Sequence, residues 1–151
     1  MSLEEEIRFS DFKNNRQKVL VNIYFTNNWL FHKYQSTLKK FELTAQQYNI
    51  IRILDERYPK SMSIGEIKER MLDKSSDITR IIDRLKTKNL IVKRSDQKNK
   101  RKTNVRLNII GHELAKEMED EINWFQTLTE SLSDKEVDKL NELLDKIRVD
   151  T

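Results

Sequence analysis

Residues 63–107 constrain the fold of this chain more than any other stretch. Their apolar spacing predicts a helix, a short turn, a second helix, a strand, a basic loop and a second strand. Positive charge is concentrated there. Residues 74–106 hold twelve Lys or Arg against three acids, Asp77, Asp83 and Asp96, a net +9. The whole 151-residue chain carries only +4, so the residues outside that stretch sum to −5. A basic module set in an acidic scaffold implies a polyanion as partner. A helix pair followed by a hairpin implies that the polyanion is duplex DNA.

The length fits one domain, or one compact lobe plus an association element. Two Gly and one Pro leave few tight turns, so the expected fold is mainly α with short connections and a small β-hairpin. The absence of cysteine excludes disulfides and thiolate metal sites. His32 and His112 are the only histidines and lie far apart in sequence, so neither a metal site nor a cofactor is expected. No run of about 18 apolar residues occurs, so no membrane span is expected. The acidic start, Met-Ser-Leu-Glu-Glu-Glu, lacks the apolar core of a secretion signal. The expected location is cytoplasmic. No nucleophile motif, phosphate-binding glycine loop or metal-ligand spacing is present, which argues against an enzyme.

Residues 17–41 predict a long helix with two apolar faces, one of them suited to covering by another subunit. Ahead of it, Ile7, Phe9 and Phe12 are too apolar for a free tail. Thr44 with Gln47, Ser63 with Glu66, and Ser133 with Glu136 each form a capping-box pattern that opens a helix. Pro59 closes the first of these helices. Residues 73–75 make the turn to the next one, with Ser75 as its expected N-cap. In that helix Ile78, Ile81, Ile82 and Leu85 face inward, and Ser76, Thr79, Arg80 and Asp83 face outward. Asn89 suits a left-handed terminating position. Residues 90–94 and 103–107 predict strands, with a protruding loop between them. Asn108 caps a further long helix whose seam runs Leu114, Met118, Ile122, Phe125, Leu128 and Leu132. The last helix carries Val137, Leu140, Leu144 and Ile147.

The outward face of the second helix suits major-groove entry, where small hydroxyl residues permit close approach and Arg or Thr meets bases or phosphates. The candidates are Ser75, Ser76, Thr79, Arg80 and Arg84. Lys74 and the loop residues Lys98, Lys100, Arg101 and Lys102 are candidates for phosphates or the minor groove. Asp83 serves a structural ion pair or faces DNA. Arg84 pairs with an acid or reaches a phosphate. Phe9, Phe12, Leu132, Val137, Leu140 and Leu144 need more cover than one chain provides, which predicts a two-fold dimer. Tyr24, Phe25, Trp29, Phe31 and Tyr48 either line a ligand pocket or belong to the core and interface.

The order of motifs resembles the MarR-type winged helix-turn-helix regulators. Leu43-Thr44 and Gln47 match the start of that family's DNA-binding region. Ser76-Asp-Ile-Thr79-Arg80-Ile-Ile-Asp83-Arg84-Leu85 matches its recognition helix. Lys93-Arg94 matches the basic end of the following strand. Leu107-Asn108-Ile-Ile-Gly111 matches the segment after the wing, and Leu132-Ser133-Asp-Lys-Glu136 the opening of the last helix. Two positions depart from the family pattern. Asn89 stands where Gly is usual, and Asn99-Lys100-Arg101 replaces Asp-x-Arg in the wing, leaving Arg101 without the usual acid.

The resemblance implies a winged helix-turn-helix with a dimerisation lobe of terminal helices, roughly 3–41 and 109–149, and a DNA-binding lobe at 44–107. It further implies a transcriptional regulator, a ligand-responsive repressor that binds a pseudo-palindromic operator as a homodimer. A small-molecule effector would sit in a crevice between the lobes, with Tyr24, Phe25, Trp29 and Tyr48 as its candidate lining. The competing class is a winged-helix module that binds protein or RNA.

Overall fold

The structure, a computed structural model, describes residues 2–95 and 102–149, with residue 124 described by its backbone alone. Seven α-helices appear among them: α1 (Leu3–Ile7), α2 (Asn15–Lys40), α3 (Ala45–Asp55), α4 (Ile64–Arg70), α5 (Ile78–Thr87), α6 (Ile109–Ile122) and α7 (Asp134–Ile147). Three short strands, β1 (Met62–Ser63), β2 (Ile91–Ser95) and β3 (Thr103–Leu107), form an antiparallel sheet in the order β1-β3-β2. The fold is mainly helical with a small sheet, as expected. The strand β1 was not anticipated, because two residues are too short to show alternation. It covers the edge of β3, pairing Met62 with Val105.

Helix α3 is the centre of the core. It packs against α2, α4, α5, α6 and β3, and Ile50, Ile51 and Leu54 on it are wholly buried. All three capping boxes form. The Thr44 and Ser63 hydroxyls accept the backbone N–H groups of Gln47 and Glu66, whose side chains accept the cap N–H groups in return. The Glu136 carboxylate accepts from the N–H and hydroxyl of Ser133. Each box satisfies N–H groups that a helix start otherwise leaves open. Helix α3 ends at Asp55, several residues ahead of Pro59, through a hydrogen-bonded turn at residues 56–58.

The junction of α5, the hairpin and α6 is tightly fixed. Asn89 takes the left-handed conformation, φ 56°, after the last turn of α5. Asn108 caps α6 by accepting the Gly111 N–H at 2.8 Å and donates its amide to the Asn89 carbonyl at 2.7 Å. A Cβ on Gly111 would stand 2.1 Å from the Leu90 carbonyl oxygen, so only glycine permits this approach. Further along, Asp55 of α3 accepts from His112 Nδ1 at 2.6 Å and pairs with Lys116 at 3.5 Å, while the Tyr58 ring stacks on the imidazole at 3.9 Å.

The helix expected to continue from residue 109 to 132 ends at Ile122 and passes into a 3-10 stretch, Asn123–Thr129. The reason lies in the seam itself. Ile122, Phe125 and Leu128 are spaced three and three, which aligns on one face of a three-residue turn and drifts on an α-helix. Phe125 thereby meets Tyr34 of α2 edge-on, at 5.5 Å between ring centres.

Candidate nucleic-acid interface

The candidate recognition element is the turn at residues 72–77 and the helix α5. Ile78, Ile82 and Leu85 are buried and Ile81 is half-buried, so the apolar stripe fixes which face of α5 points out. That outer face presents Thr79, Arg80, Asp83 and Arg84, all exposed. The N-cap is Asp77, which accepts the Arg80 N–H at 3.1 Å, and not Ser75 as expected. Four residues here favour N-caps by type. The hydrogen bonds decide among them: Ser75 and Ser76 donate their hydroxyls to Asp73, and Asp77 is the side chain that accepts a first-turn N–H.

Ser75 and Ser76 precede the helix and are held by Asp73. The Ser75 hydroxyl donates to Asp73 Oδ1 at 2.6 Å, its N–H donates to the same oxygen at 3.0 Å, and the Ser76 hydroxyl donates to Oδ2 at 2.8 Å. The Ser75 and then the Ser76 hydroxyl hold the Asp73 carboxyl below the usual carboxylate range. Asn49 of α3 accepts the Leu72 N–H at 3.0 Å and anchors the start of the turn. Lys74 is exposed, and its ammonium donates to the Glu69 carbonyl at the end of α4.

The hairpin register pairs Ile91 with Leu107, Lys93 with Val105 and Arg94 with Asn104. Ile91, Val105 and Leu107 face the core, and Lys93 lies on the same side. Its ammonium reaches Asp83 of α5 at 2.9 Å, so Asp83 makes the structural ion pair among its two expected roles. Arg94 and Arg106 fall on the other side of the hairpin. Lys102 is exposed at the start of β3. Lys98, Lys100 and Arg101 lie outside the described residues.

The remaining candidates are spread over the terminal helices. Phe9 is half exposed and meets Phe12 edge-on at 5.2 Å, and Glu4 of α1 pairs with Lys18 of α2. Helix α7 buries none of its residues in this chain: Val137 and Leu144 are half-buried and Leu140 is exposed. Leu132 is half-buried just before it. Val19, Leu20 and Tyr24 on α2 are also exposed.

Of the aromatic set, Tyr48 is buried on α3, Phe25 is half-buried, and Tyr24 and Trp29 are exposed on α2, Trp29 beneath the Lys33 ammonium. The ring beside Tyr48 is Tyr34, at 5.9 Å, and Phe125 lies beyond it. Burial pushes both tyrosine hydroxyls up from their ordinary range. The Tyr48 hydroxyl faces the Arg52 guanidinium outside hydrogen-bond geometry and has no partner among the described residues.

Sequence reasoning gave no site role to Asp73, Lys93, Tyr34 or Arg52. Among the described residues no three acidic or histidine side chains gather as a metal site, and no helix is long and apolar enough to cross a membrane.

The MarR family model matches residues 43–103. The HTH-type transcriptional repressor IacR of Pseudomonas putida is 29% identical over 111 residues, which cover 73% of this chain and 65% of that protein's length. A crystal structure of a MarR mutant from E. coli complexed with operator DNA superposes with a TM-score of 0.75 at 24% identity, covering 92% of this chain and 99% of that one. NadR in complex with 4-hydroxyphenylacetate gives 0.65 at 20% identity, covering 94% and 98%. At these identities the two structures establish the fold.

Proposed function

With a MarR-family winged-helix domain at residues 43–103 as the premise, we propose that this chain is a transcriptional repressor that binds a pseudo-palindromic operator in duplex DNA as a homodimer and releases it when a small molecule binds. One observation carries the DNA-binding reading. The exposed face of α5 bears Thr79, Arg80 and Arg84, and the Asp83–Lys93 pair ties that helix to the hairpin inside the stretch of net +9. A helix of this kind places its first turns on base edges while flanking Lys and Arg hold phosphates.

The dimer reading rests on α7 and the first half of α2, whose apolar side chains find too little cover within one chain. A two-fold axis lets Leu132, Val137, Leu140 and Leu144 of each copy pack on the other, with Phe9 and Phe12 at the edge. Effector binding is supported by the Tyr34–Tyr48–Phe125 cluster and the unsatisfied Tyr48 hydroxyl beside Arg52. An aromatic ring with a polar substituent would match that chemistry, and 4-hydroxyphenylacetate, the molecule bound to NadR, is of that kind.

Selection of genomic fragments by the full chain tests the reading. The expected result is a set of duplexes sharing inverted half-sites about 10 base pairs apart, roughly one helical turn. RNA of the same sequence should not compete. Retention of RNA in place of duplex DNA, or a bound site without inverted symmetry, would overturn it.

A further inference from the structure

We propose that Asp73 fixes Ser75 and Ser76 as hydrogen-bond acceptors toward DNA, so that the turn entering α5 selects an amino-bearing base edge, cytosine N4 or adenine N6, and holds no phosphate. The inference rests on the DNA-binding reading above and adds to it the chemical direction of recognition.

A serine hydroxyl has one proton to give and two lone pairs to offer, and an ionised carboxylate can only accept. At 2.6 Å and 2.8 Å from the two oxygens of Asp73, both hydroxyls must be donating to it. Their protons are therefore committed, and what they turn outward is lone pairs. A phosphate oxygen also offers only lone pairs. Neither serine can bind one without first giving up a charge-assisted hydrogen bond, the stronger kind.

Electrostatics points the same way. The N-terminal end of a helix ordinarily attracts anions. Here Asp77 already occupies that end by capping the Arg80 N–H, and Asp73 stands one turn of chain away. A phosphate at this place would meet two carboxylates. Lys74, the cation between them, directs its ammonium back to the Glu69 carbonyl. A hydrogen-bond donor is thus favoured at the turn. In the major groove the donors are the amino groups of cytosine and adenine, whereas guanine O6 and N7 and thymine O4 accept.

The test uses the full chain and a library of single-base variants of its selected duplex, measured at two salt concentrations. For Ser75→Ala or Ser76→Ala, the expected result is loss of a roughly tenfold preference at one position of each half-site, where C or A faces the protein, with the salt slope unchanged. Asp73→Ala removes a carboxylate and frees both protons. It should tighten binding to every sequence by several-fold, to the order of tenfold, and relax the same position. If the serine variants instead weaken all sequences alike and flatten the salt slope, the hydroxyls hold phosphates and the proposal is overturned. Unchanged base preferences in all three variants overturn it equally. A wild-type chain that retains no duplex would sink the DNA-binding reading and this one with it. Normal wild-type selection with indifferent variants sinks this proposal and leaves the DNA-binding reading standing.

Discussion

Gly111→Ala should destabilise the protein even though alanine is the better helix former. A Cβ at this position would lie 2.1 Å from the Leu90 carbonyl oxygen and 3.0 Å from its carbon, both backbone atoms that cannot rotate away. Helix α6 would have to move by roughly 1 Å to restore van der Waals contact. The same carbonyl accepts the Asn108 N–H at 3.2 Å, so the movement strains the α6 start as well. Overpacking costs about 1–3 kcal/mol, and the weakened hydrogen bond adds about 1 kcal/mol. The gain in helix propensity returns at most about 1 kcal/mol. The net loss is about 1–3 kcal/mol, which lowers the melting temperature by roughly 3–10 °C for a chain of this size. Gly65→Ala is the matched control, because its Cβ would meet only the Ser63 hydroxyl at 3.8 Å. That variant should be neutral or stabilised by up to about 1 kcal/mol. Urea unfolding at one fixed protein concentration measures both, since dimer association would otherwise shift the midpoints. A Gly111→Ala protein as stable as wild type would show that α6 has freedom to slide, and the close packing at Leu90 would no longer explain the glycine.

Lys93→Ala should weaken DNA binding while changing stability by less than about 1 kcal/mol, because the exposed pair contributes little to folding but its loss leaves Asp83 as a bare charge on the α5 face; Asp83→Asn in the same chain should restore affinity, and anisotropy on a labelled operator reads both. Lys100→Ala with Arg101→Ala should weaken binding to all sequences and flatten the salt slope by roughly one per lost phosphate contact per subunit; an unchanged slope and affinity would show that these residues do not touch DNA. Hydrogen bonds from Ser63 and Ser133 hold Glu66 and Glu136 below the usual carboxylate range, so their contribution is present above the unfolded-state pKa, roughly 4.3, and is lost as pH falls through the lower folded-state value. Melting temperature should therefore fall on acidification, and fall less when both are changed to Gln; equal acid sensitivity of the variant would place the effect in other carboxylates.

The parts of the fold that were legible in the sequence are those set by local chemistry. Thr44, Ser63 and Ser133 announce helix starts because a capping box closes within four residues. Asn89 and Asn108 mark an end and a start for the same reason. The start of α5 was misplaced because Asp73, Ser75, Ser76 and Asp77 all suit an N-cap, and residue type does not tell that Asp73 takes both serine hydroxyls and leaves the cap to Asp77. The break after Ile122 was written in the spacing of Ile122, Phe125 and Leu128, but a periodicity that is good enough for a helix hides it. In the aromatic set, the ring that lies beside Tyr48 was not legible. Which residue of α2 stands opposite Tyr48 depends on how α2 lies across α3, and the answer is Tyr34.

On the proposed reading, the charge balance of α5 explains how a face that contains acids would still suit a polyanion. Asp77 is engaged by the Arg80 backbone N–H and Asp83 by the Lys93 ammonium. Each acid thus meets a partner within the protein, and neither takes up a guanidinium of the helix. Arg80 and Arg84 form no ion pair with any other described residue and remain exposed on the outer face. Asp83, three positions after Arg80 on the same helix, would ordinarily compete for that guanidinium. The Lys93 ammonium, held on the core side of the hairpin, removes that competition. The acids shape the helix start and its tie to the hairpin, and the arginines are left for a ligand. This division predicts the opposite of what net charge alone suggests: neutralising Asp83 in the presence of Lys93 would not improve binding, since the carboxylate is already answered where it stands.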